Sequence, residues 1–477
     1  MMVSQLIQGV LDEIGRIQES YAVIRFSVAG IRLSRWQLLP DRPYRIRAFG
    51  TEYVVFPSRY FNDIKRIPAK DASAYEFFRH AFHTDWSGIP RHSEAMMKAV
   101  AVDGTRAIPS LIRDRQHDCA AACDVSIGEC PEWTEITMFP ALQKIVVSTN
   151  ASPLVGKELA SNPTWISHVE RLPMLLGIPT VILSLTPAVL RPLLKPLLFV
   201  PIQYSGFVLT RLITPVLKED MLEFESTADK KSLAGPKAKG KLALTSWLLG
   251  RYPASVKDRM SQLIRDYLAI TFESTPSTSG ALFYILIELA AAPELAETVR
   301  QELREVAPNG ELPSTHLNEL KIMDSVMRES ARVNPFSHLV LYRKLLSPLK
   351  LEGCPELPAG CFICVDAHHI DFSPQLWEDP ERFDGLRHYR ARQKPENGNR
   401  FKFANLGPDA PGWGDGPQAC PGRMFADNTL KIILAHILTH YDLELPPGQG
   451  KPEKGSMPNG SMSPDTKAKV LFRSRKL

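Results

Sequence analysis

One cysteine, set at the end of a glycine- and proline-rich loop and directly before a helix, constrains this chain more than any other feature. The stretch reads Trp413-Gly414-Asp415-Gly416-Pro417-Gln418-Ala419-Cys420-Pro421-Gly422-Arg423-Met424-Phe425. Behind Cys420, apolar residues recur at Phe425, Ile432, Ile433 and Ile437, one face of a 3.6-residue period. The fold must therefore pin a tight loop against the first turn of a long helix. A thiol placed there meets free backbone N–H groups and the positive end of the helix dipole, which favour its thiolate. Gly416 and Gly422 let the backbone approach a flat ligand where a side chain would collide. Such a thiolate can serve as a nucleophile, a zinc ligand or an axial haem ligand. Zinc needs three or four ligands, and no second Cys or His lies nearby at a suitable spacing. A nucleophile needs a partner base, which the sequence does not reveal. A buried, unreactive cysteine is the remaining reading.

Two further motifs precede the loop. In Met323-Asp324-Ser325-Val326-Met327-Arg328-Glu329-Ser330-Ala331-Arg332-Val333-Asn334-Pro335, Glu329 and Arg332 stand i, i+3 on one helix face, and Pro335 stops the helix. Asp379-Pro380-Glu381-Arg382-Phe383-Asp384 follows and offers a second arginine for that carboxylate. In this order and spacing, the three motifs resemble the cytochrome P-450 family of haem-thiolate monooxygenases. The resemblance runs from about residue 44 to the C-terminus. It is closest to fungal members with an Ala-Cys-Pro-Gly-Arg loop and a Tyr-Asp pair after the final long helix, here Tyr441-Asp442.

That resemblance implies a mainly α fold, a large helical domain and a small β-sheet domain enclosing a buried haem. It makes Cys420 the axial thiolate, which pushes electron density into iron and favours O–O cleavage. Glu329, Arg332 and Arg382 become a buried charge triad behind the loop. Arg343, in Leu341-Tyr342-Arg343-Lys344, takes the position that grips a haem propionate, a carboxylate suited to a bidentate charged donor. Trp413 stands where Phe is commoner and is expected to shield the sulfur. Gln418 replaces a basic residue, so one propionate receives a neutral hydrogen bond. Trp133 marks the expected start of a second propionate-binding helix, but its arginine position holds Thr137.

The oxygen-side helix is the least orthodox part. The family places an acid and an alcohol side by side there, to order water and deliver protons. Counting back from Pro293 puts Pro276 at the acid position and Ser277 at the alcohol position. Pro276 is expected to kink the helix and free a carbonyl. Ser277 or Thr278 then orders the water, with Glu273 one turn away as a proton relay. A frame shifted by three residues makes Glu273-Ser274-Thr275 the acid–alcohol set instead.

Composition agrees with one large enzyme: 477 residues, 44% hydrophobic, and no Gly/Ser linker or repeat. A net charge of +5 without a basic cluster carries no nucleic-acid signature. Seven mostly unpatterned cysteines suit a reducing compartment, and Cys361-Phe362-Ile363-Cys364 reads as a structural part of a strand. Asn150-Ala151-Ser152 and Asn459-Gly460-Ser461 match the glycosylation pattern, which a cytosol-facing enzyme does not use. Residues 1–43 form a separate amphipathic segment ahead of a domain over 44–477. Within it, Gln5 to Ile31 reads as an amphipathic helix, too charged for a span of about 20 apolar residues. Either the protein sits on a membrane without a spanning anchor, or the true start is missing. Strand-like runs follow at Tyr44–Phe49 and Tyr53–Pro57, and residues 227–241 read as a loop. Leu172 to Leu190 carries no charge and is expected to dock at a membrane surface, on the cytosolic face of the endoplasmic reticulum by resemblance.

The expected function is insertion of one atom of O2 into an apolar terpenoid, indole or polyketide intermediate of fungal secondary metabolism. Electrons come from NADPH through a separate reductase, because the chain has no flavin or nicotinamide fingerprint. A reductase-independent isomerase or dehydratase on the same haem-thiolate fold, or a haem-binding protein without turnover, are the alternatives.

Overall fold

A computed structural model describes residues 22–23, 41–48, 51–89, 92–187, 189–226, 243–308, 310–456 and 461–476. The helix expected over residues 5–31 and the loop over 227–241 lie outside the described residues, as does Asn459. Ala22–Val23 is the exception, and it corrects the expectation at those two positions. The pair forms a short strand, β1, parallel to Tyr44–Arg45.

One mixed sheet builds the small β region. It comprises β1, β2 (Tyr44–Ala48), β3 (Thr51–Phe56), β4 (Ala72–Ser73), β6 (Leu339–Leu345) and β7 (Phe362–Asp366), in the order β1-β2-β3-β7-β6-β4. Strand β7 lies at its centre, parallel to β3 and antiparallel to β6. Ile363, Cys364 and Val365 are consecutive and all buried, the continuous apolar run of a strand covered on both faces. Both cysteines of the Cys361-x-x-Cys364 pair are free thiols, Cys364 within the strand and Cys361 just before it. A second sheet joins β5 (Thr134–Thr137), β8 (Tyr441–Glu444) and β11 (Lys469–Ser474), with β11 in the middle. Strands β9 (Gly455–Ser456) and β10 (Met462–Ser463) make a separate two-stranded ribbon.

Helices make up the rest of the framework. Helix α1 (Ala74–Ala81) opens with an N-cap, Ser73 Oγ accepting from the Glu76 amide at 3.2 Å. Then come α2 (Glu94–Lys98), α3 (Thr105–Ser126), α4 (Met138–Val155), α5 (Pro163–Leu185), α6 (Arg191–Leu198) and α7 (Val200–Ser226). After them run α8 (Arg259–Glu273), α9 (Pro276–Ala290), α10 (Pro293–Val306), α11 (Lys321–Val333), α12 (Arg387–Arg392) and α13 (Arg423–His440).

Two apolar cores divide these helices. The first joins Ile112 and Cys119 of α3, Leu142 and Ile145 of α4, Leu282 and Leu286 of α9, and Ile433 and Ile437 of α13. The second joins Trp165 and Leu172 of α5, Leu209 and Ile213 of α7, and Leu263 and Tyr267 of α8. The break between α8 and α9 falls where one core gives way to the other.

Helix α5 and the stretch 191–226 are each long and apolar enough to cross a membrane. Each nevertheless buries one face in the second core, through Leu172, Leu176 and Leu183 of α5 and Ile202 and Leu209 of α7. The opposite side exposes Met174, Ile178, Leu185, Leu193, Leu197 and Phe207.

Candidate active site

Helix α13 starts at Arg423, and the loop before it is held by its own backbone. The Cys420 amide donates to the Trp413 carbonyl at 2.9 Å. The Trp413 indole donates to the Phe403 carbonyl at 2.8 Å, with its ring edge-on to Phe403. The amides of Gly422 and Arg423 point at the thiol and favour its anion, as expected for a helix start. Burial is the larger effect and pushes the Cys420 thiol up to about 11. In the chain alone the thiolate is thus disfavoured, contrary to the sequence expectation. Dipole and amides do not offset the loss of water.

The two loop glycines differ in their surroundings. At Gly416, with φ +70°, an added Cβ would lie 2.3 Å from the Lys65 carbonyl oxygen. This neighbouring strip of backbone by itself demands a glycine. Lys65 reinforces the contact through a 2.7 Å ion pair with Asp415. Around Gly422 there is room, the nearest atom being a Val100 methyl at 3.9 Å. Gly416→Ala is expected to cost roughly 1–3 kcal/mol from the strained backbone alone, with the collision added. A fall in both melting temperature and haem occupancy checks this; a wild-type Tm refutes it.

Arg343 fits the anion it was expected to bind. It is buried on β6, and its Nε and Nη2 have no partner among the described residues. Nη1 donates to the adjacent Tyr342 carbonyl at 2.8 Å. Burial alone lowers its pKa to about 10, with no carboxylate to offset it. A buried, half-unpaired guanidinium is costly unless a ligand completes it. Strand β6 reaches the loop at Leu341, whose Cδ2 would lie 3.8 Å from a Cβ on Gly414. Leu341 has φ +51°, and the ladder to β7 slips between Val340 and Arg343. The bulge re-aims the strand at this point. An acidic ligand beside Cys420, such as a haem propionate, matches these donors.

Two other expected propionate contacts are corrected. Gln418 is held by the backbone, its Oε1 accepting from Ala74 N at 2.8 Å and its Nε2 donating to Ala72 O at 2.9 Å. It ties the loop to β4 and α1 instead. Trp133 starts no helix. It precedes β5, where Thr137 pairs with Lys469, and its ring packs under the Arg473 guanidinium at 4.6 Å.

On the opposite side, Pro276 does not kink a continuous helix; it opens α9 as the first residue after a break at Ser274–Thr275. The Thr271 carbonyl freed there accepts from Ser274 Oγ at 3.2 Å and Thr275 Oγ1 at 3.3 Å. Ser277 is exposed between buried Thr275 and Thr278, so it faces open space while its neighbours face protein. Glu273 is paired to His92, a partner that no sequence pattern indicated.

Behind the loop, Glu329 accepts from Arg332 Nη2 and Nε at 2.8 and 2.9 Å, and from the Asp384 amide at 3.1 Å. The third cation is Arg387, whose Nε donates at 3.0 Å, not Arg382. Arg382 has an exposed side chain and contributes only its backbone carbonyl, to Arg332 and Arg387. The reason is local. Residues 379–382 form a tight turn that presents carbonyls, and α12 begins just beyond it, bringing Arg387 and His388 inward. Although burial alone would raise the Glu329 carboxyl, the Arg332 hydrogen bonds and the His388 ring hold it down at about 2.

Arg115 of α3 was also missed. It is fully buried, donates to Thr149 O at 3.3 Å and Asn150 Oδ1 at 2.8 Å, bonds Asn428 and Thr429, and lies 4.1 Å from the Phe425 ring. All these partners are neutral, and burial lowers its pKa to about 9. Asn150 in turn donates to the Ser274 carbonyl at 3.4 Å. The network therefore links the start of α13 to the α8–α9 break. Asn150 is buried in this network, so its glycosylation pattern is incidental.

The cytochrome P450 family model matches residues 217–472. The cytochrome P450 monooxygenase cheG of Chaetomium globosum is 95% identical over 340 residues, covering 71% of this chain and all of that protein. The cytochrome P450 monooxygenase CYP1 of Pyricularia oryzae is 53% identical over 98% of this chain and 88% of its own length. The pyrichalasin C-18 hydroxylase of Pyricularia grisea is 42% identical over 92% of this chain and 82% of its own. Among solved structures, retinoic acid-bound cyanobacterial CYP120A1 matches with a TM-score of 0.69 at 19% identity, over 94% of both chains.

Proposed function

Because this chain belongs to the cytochrome P450 family, we propose that it is a monooxygenase that inserts one atom of O2 into an apolar, pyrichalasin-like scaffold of fungal secondary metabolism. Electrons come from NADPH through a separate reductase. The substrate class is supported by the hydroxylase relative and its coverage of nearly the whole chain. The observation that carries the chemistry is the buried guanidinium of Arg343, without an anion among the described residues, on the strand that meets the Cys420 loop at Gly414.

When bound, haem supplies the activation of O2, with thiolate ligation favouring O–O cleavage. Cys420 would hold the iron and Arg343 a propionate. On the oxygen side, the exposed hydroxyl of Ser277 orders a water, Thr278 supports that turn from the buried side, and Glu273 supplies the carboxylate for proton transfer. The catalytic unit spans 44–477. The exposed apolar side of α5–α7, with Arg191 and Lys195 beside it, rests on the cytosolic membrane surface and takes substrate from the lipid.

Reconstitution with a fungal reductase, NADPH, 18O2 and a pyrichalasin-type scaffold tests this reading. One 18O atom per product is expected, with no product when reductase or O2 is withheld. Product formed without either would overturn it. Ser277→Ala should raise peroxide released per NADPH consumed, and Glu273→Gln should slow turnover less. Unchanged coupling in Ser277→Ala with a severe loss in Glu273→Gln would move the acid–alcohol set to Glu273-Ser274-Thr275.

A further inference from the structure

We propose that His92 is the proton port for this site, feeding Glu273 from solvent. The inference rests on the oxygen chemistry proposed above.

His92 precedes α2 and reaches Glu273 at the C-terminal end of α8, where Nε2 and Oε1 form a close ion pair. Its backbone is fixed from the next residue. Ser93 Oγ donates to Asp266 Oδ2 at 2.9 Å and accepts from the Met96 amide at 3.0 Å, capping α2. Asp266 is held in turn by Tyr252 at 2.8 Å and Gln262 at 2.9 Å. The segment is thus stitched to α8 at two points about two turns apart. The imidazole is walled by α1, with Tyr75 edge-on at 5.8 Å and Phe78 at 6.0 Å. These contacts leave one orientation for the ring.

The pair lies at a boundary. The His92 side chain is 13% exposed and that of Glu273 33%. Glu273 is the only carboxylate in the sequence between Asp266 and Glu288, and the helix position expected to hold an acid is Pro276. A static ion pair would not need to sit one turn from Ser277, at the break between two helices. The groups that face the imidazole are Tyr75 from α1 and Glu273 and Asp266 from α8. Burial works against its charged form, but the bond to Glu273 and the charges of Glu273 and Asp266 outweigh it, so its pKa is raised. The imidazolium therefore persists to a higher pH than in a free histidine. In the transfer, the Nε2–H bond breaks as an O–H bond forms on Glu273. This leaves neutral imidazole and a neutral carboxyl. Solvent then returns a proton to the ring, and the carboxyl passes its own to the ordered water.

The test uses the haem-loaded enzyme and begins with the ferrous carbon monoxide spectrum. A missing thiolate band in the wild type would defeat the Cys420 reading and is scored separately. With the band present, 15N-histidine NMR of the diamagnetic carbon monoxide form should show His92 titrating above free histidine. In Glu273→Gln it should return toward the free value. A His92 signal unmoved by Glu273→Gln overturns the proposal, whatever the variants do. For function, His92→Gln preserves a hydrogen bond to Glu273 but carries no transferable proton. It should lower turnover by the same factor as Glu273→Gln, raise peroxide leakage and flatten the pH profile that falls through the His92 pKa in the wild type. Wild-type turnover and an unchanged profile in a His92→Gln enzyme with a normal carbon monoxide band would reduce the pair to a structural latch.

Discussion

Cys420→Ala is expected to abolish the red-shifted Soret band of the reduced carbon monoxide complex and to reduce monooxygenase turnover to background. The physical reason lies in the cost of holding that sulfur as an anion. Burial pushes the thiol up to about 11, and two backbone amides do not bring it down to neutrality. A bound metal deprotonates such a thiol outright. The loop geometry should survive the change, because the Cys420 amide, the Trp413 carbonyl and the Lys65–Asp415 pair do not involve the side chain of Cys420. The variant should therefore fold and bind less haem, with no thiolate spectrum. Retention of the band would disprove the assignment of Cys420 as the ligand.

The second large effect is on folding. Glu329→Ala leaves Arg332 and Arg387 facing each other across a buried site without their shared carboxylate, at a cost of roughly 3–5 kcal/mol. Little soluble, haem-loaded protein is expected. Arg332→Lys should fail as well, since Arg332 uses its whole fork. Nε and Nη2 hold Glu329, while Nη1 reaches the Asp371 and Pro380 carbonyls at 2.6 Å each. Arg387→Ala should be destabilising but milder, and Arg382→Ala close to neutral; equal losses in those two would contradict the placement of Arg387. The pH dependence has a definite sign. Glu329 has a folded pKa depressed to about 2 from an ordinary 4.5. Its contribution, roughly 3 kcal/mol at one decade per 1.4 kcal/mol, is complete above pH 4.5 and lost as pH falls toward 2. Glu329→Gln should remove most of that acid sensitivity, which chemical denaturation at pH 3 and pH 6 would measure.

What was legible in the sequence is what short-range chemistry encodes. The cysteine loop, the helix behind it, the Glu329–Arg332 pair and the strands around residues 44–56 all declare themselves within a few neighbouring residues. Arg343 was legible only through family resemblance, and the bulge that aims it was not, because Leu341 carries no glycine-like signal for its positive φ. Arg382 was misassigned because proximity in sequence was taken for proximity in space. The tight turn at Asp379 sends that side chain outward and gives its place to Arg387. Helix periodicity could not locate the break at Ser274–Thr275, since Pro276 fits a kink and a helix start equally well. His92, Arg115 and the Lys65 contact each join residues more than a hundred and fifty positions apart, Arg115 through Asn428 and Thr429, and a single sequence offers no signal for such pairs.

The Lys65–Gly416 contact bears on how this scaffold can be altered. Because the metal-binding turn is shaped against a strip of main chain near the N-terminal sheet, it is not a portable cassette. A chimera that takes residues 413–423 from one relative and 58–66 from another would combine halves of an interface from different parents. Crossovers placed between them invite poor cofactor loading even where every side chain matches. Recombination breakpoints chosen to keep the two segments on the same parent would leave the turn intact while freeing the exposed α5–α7 surface for exchange.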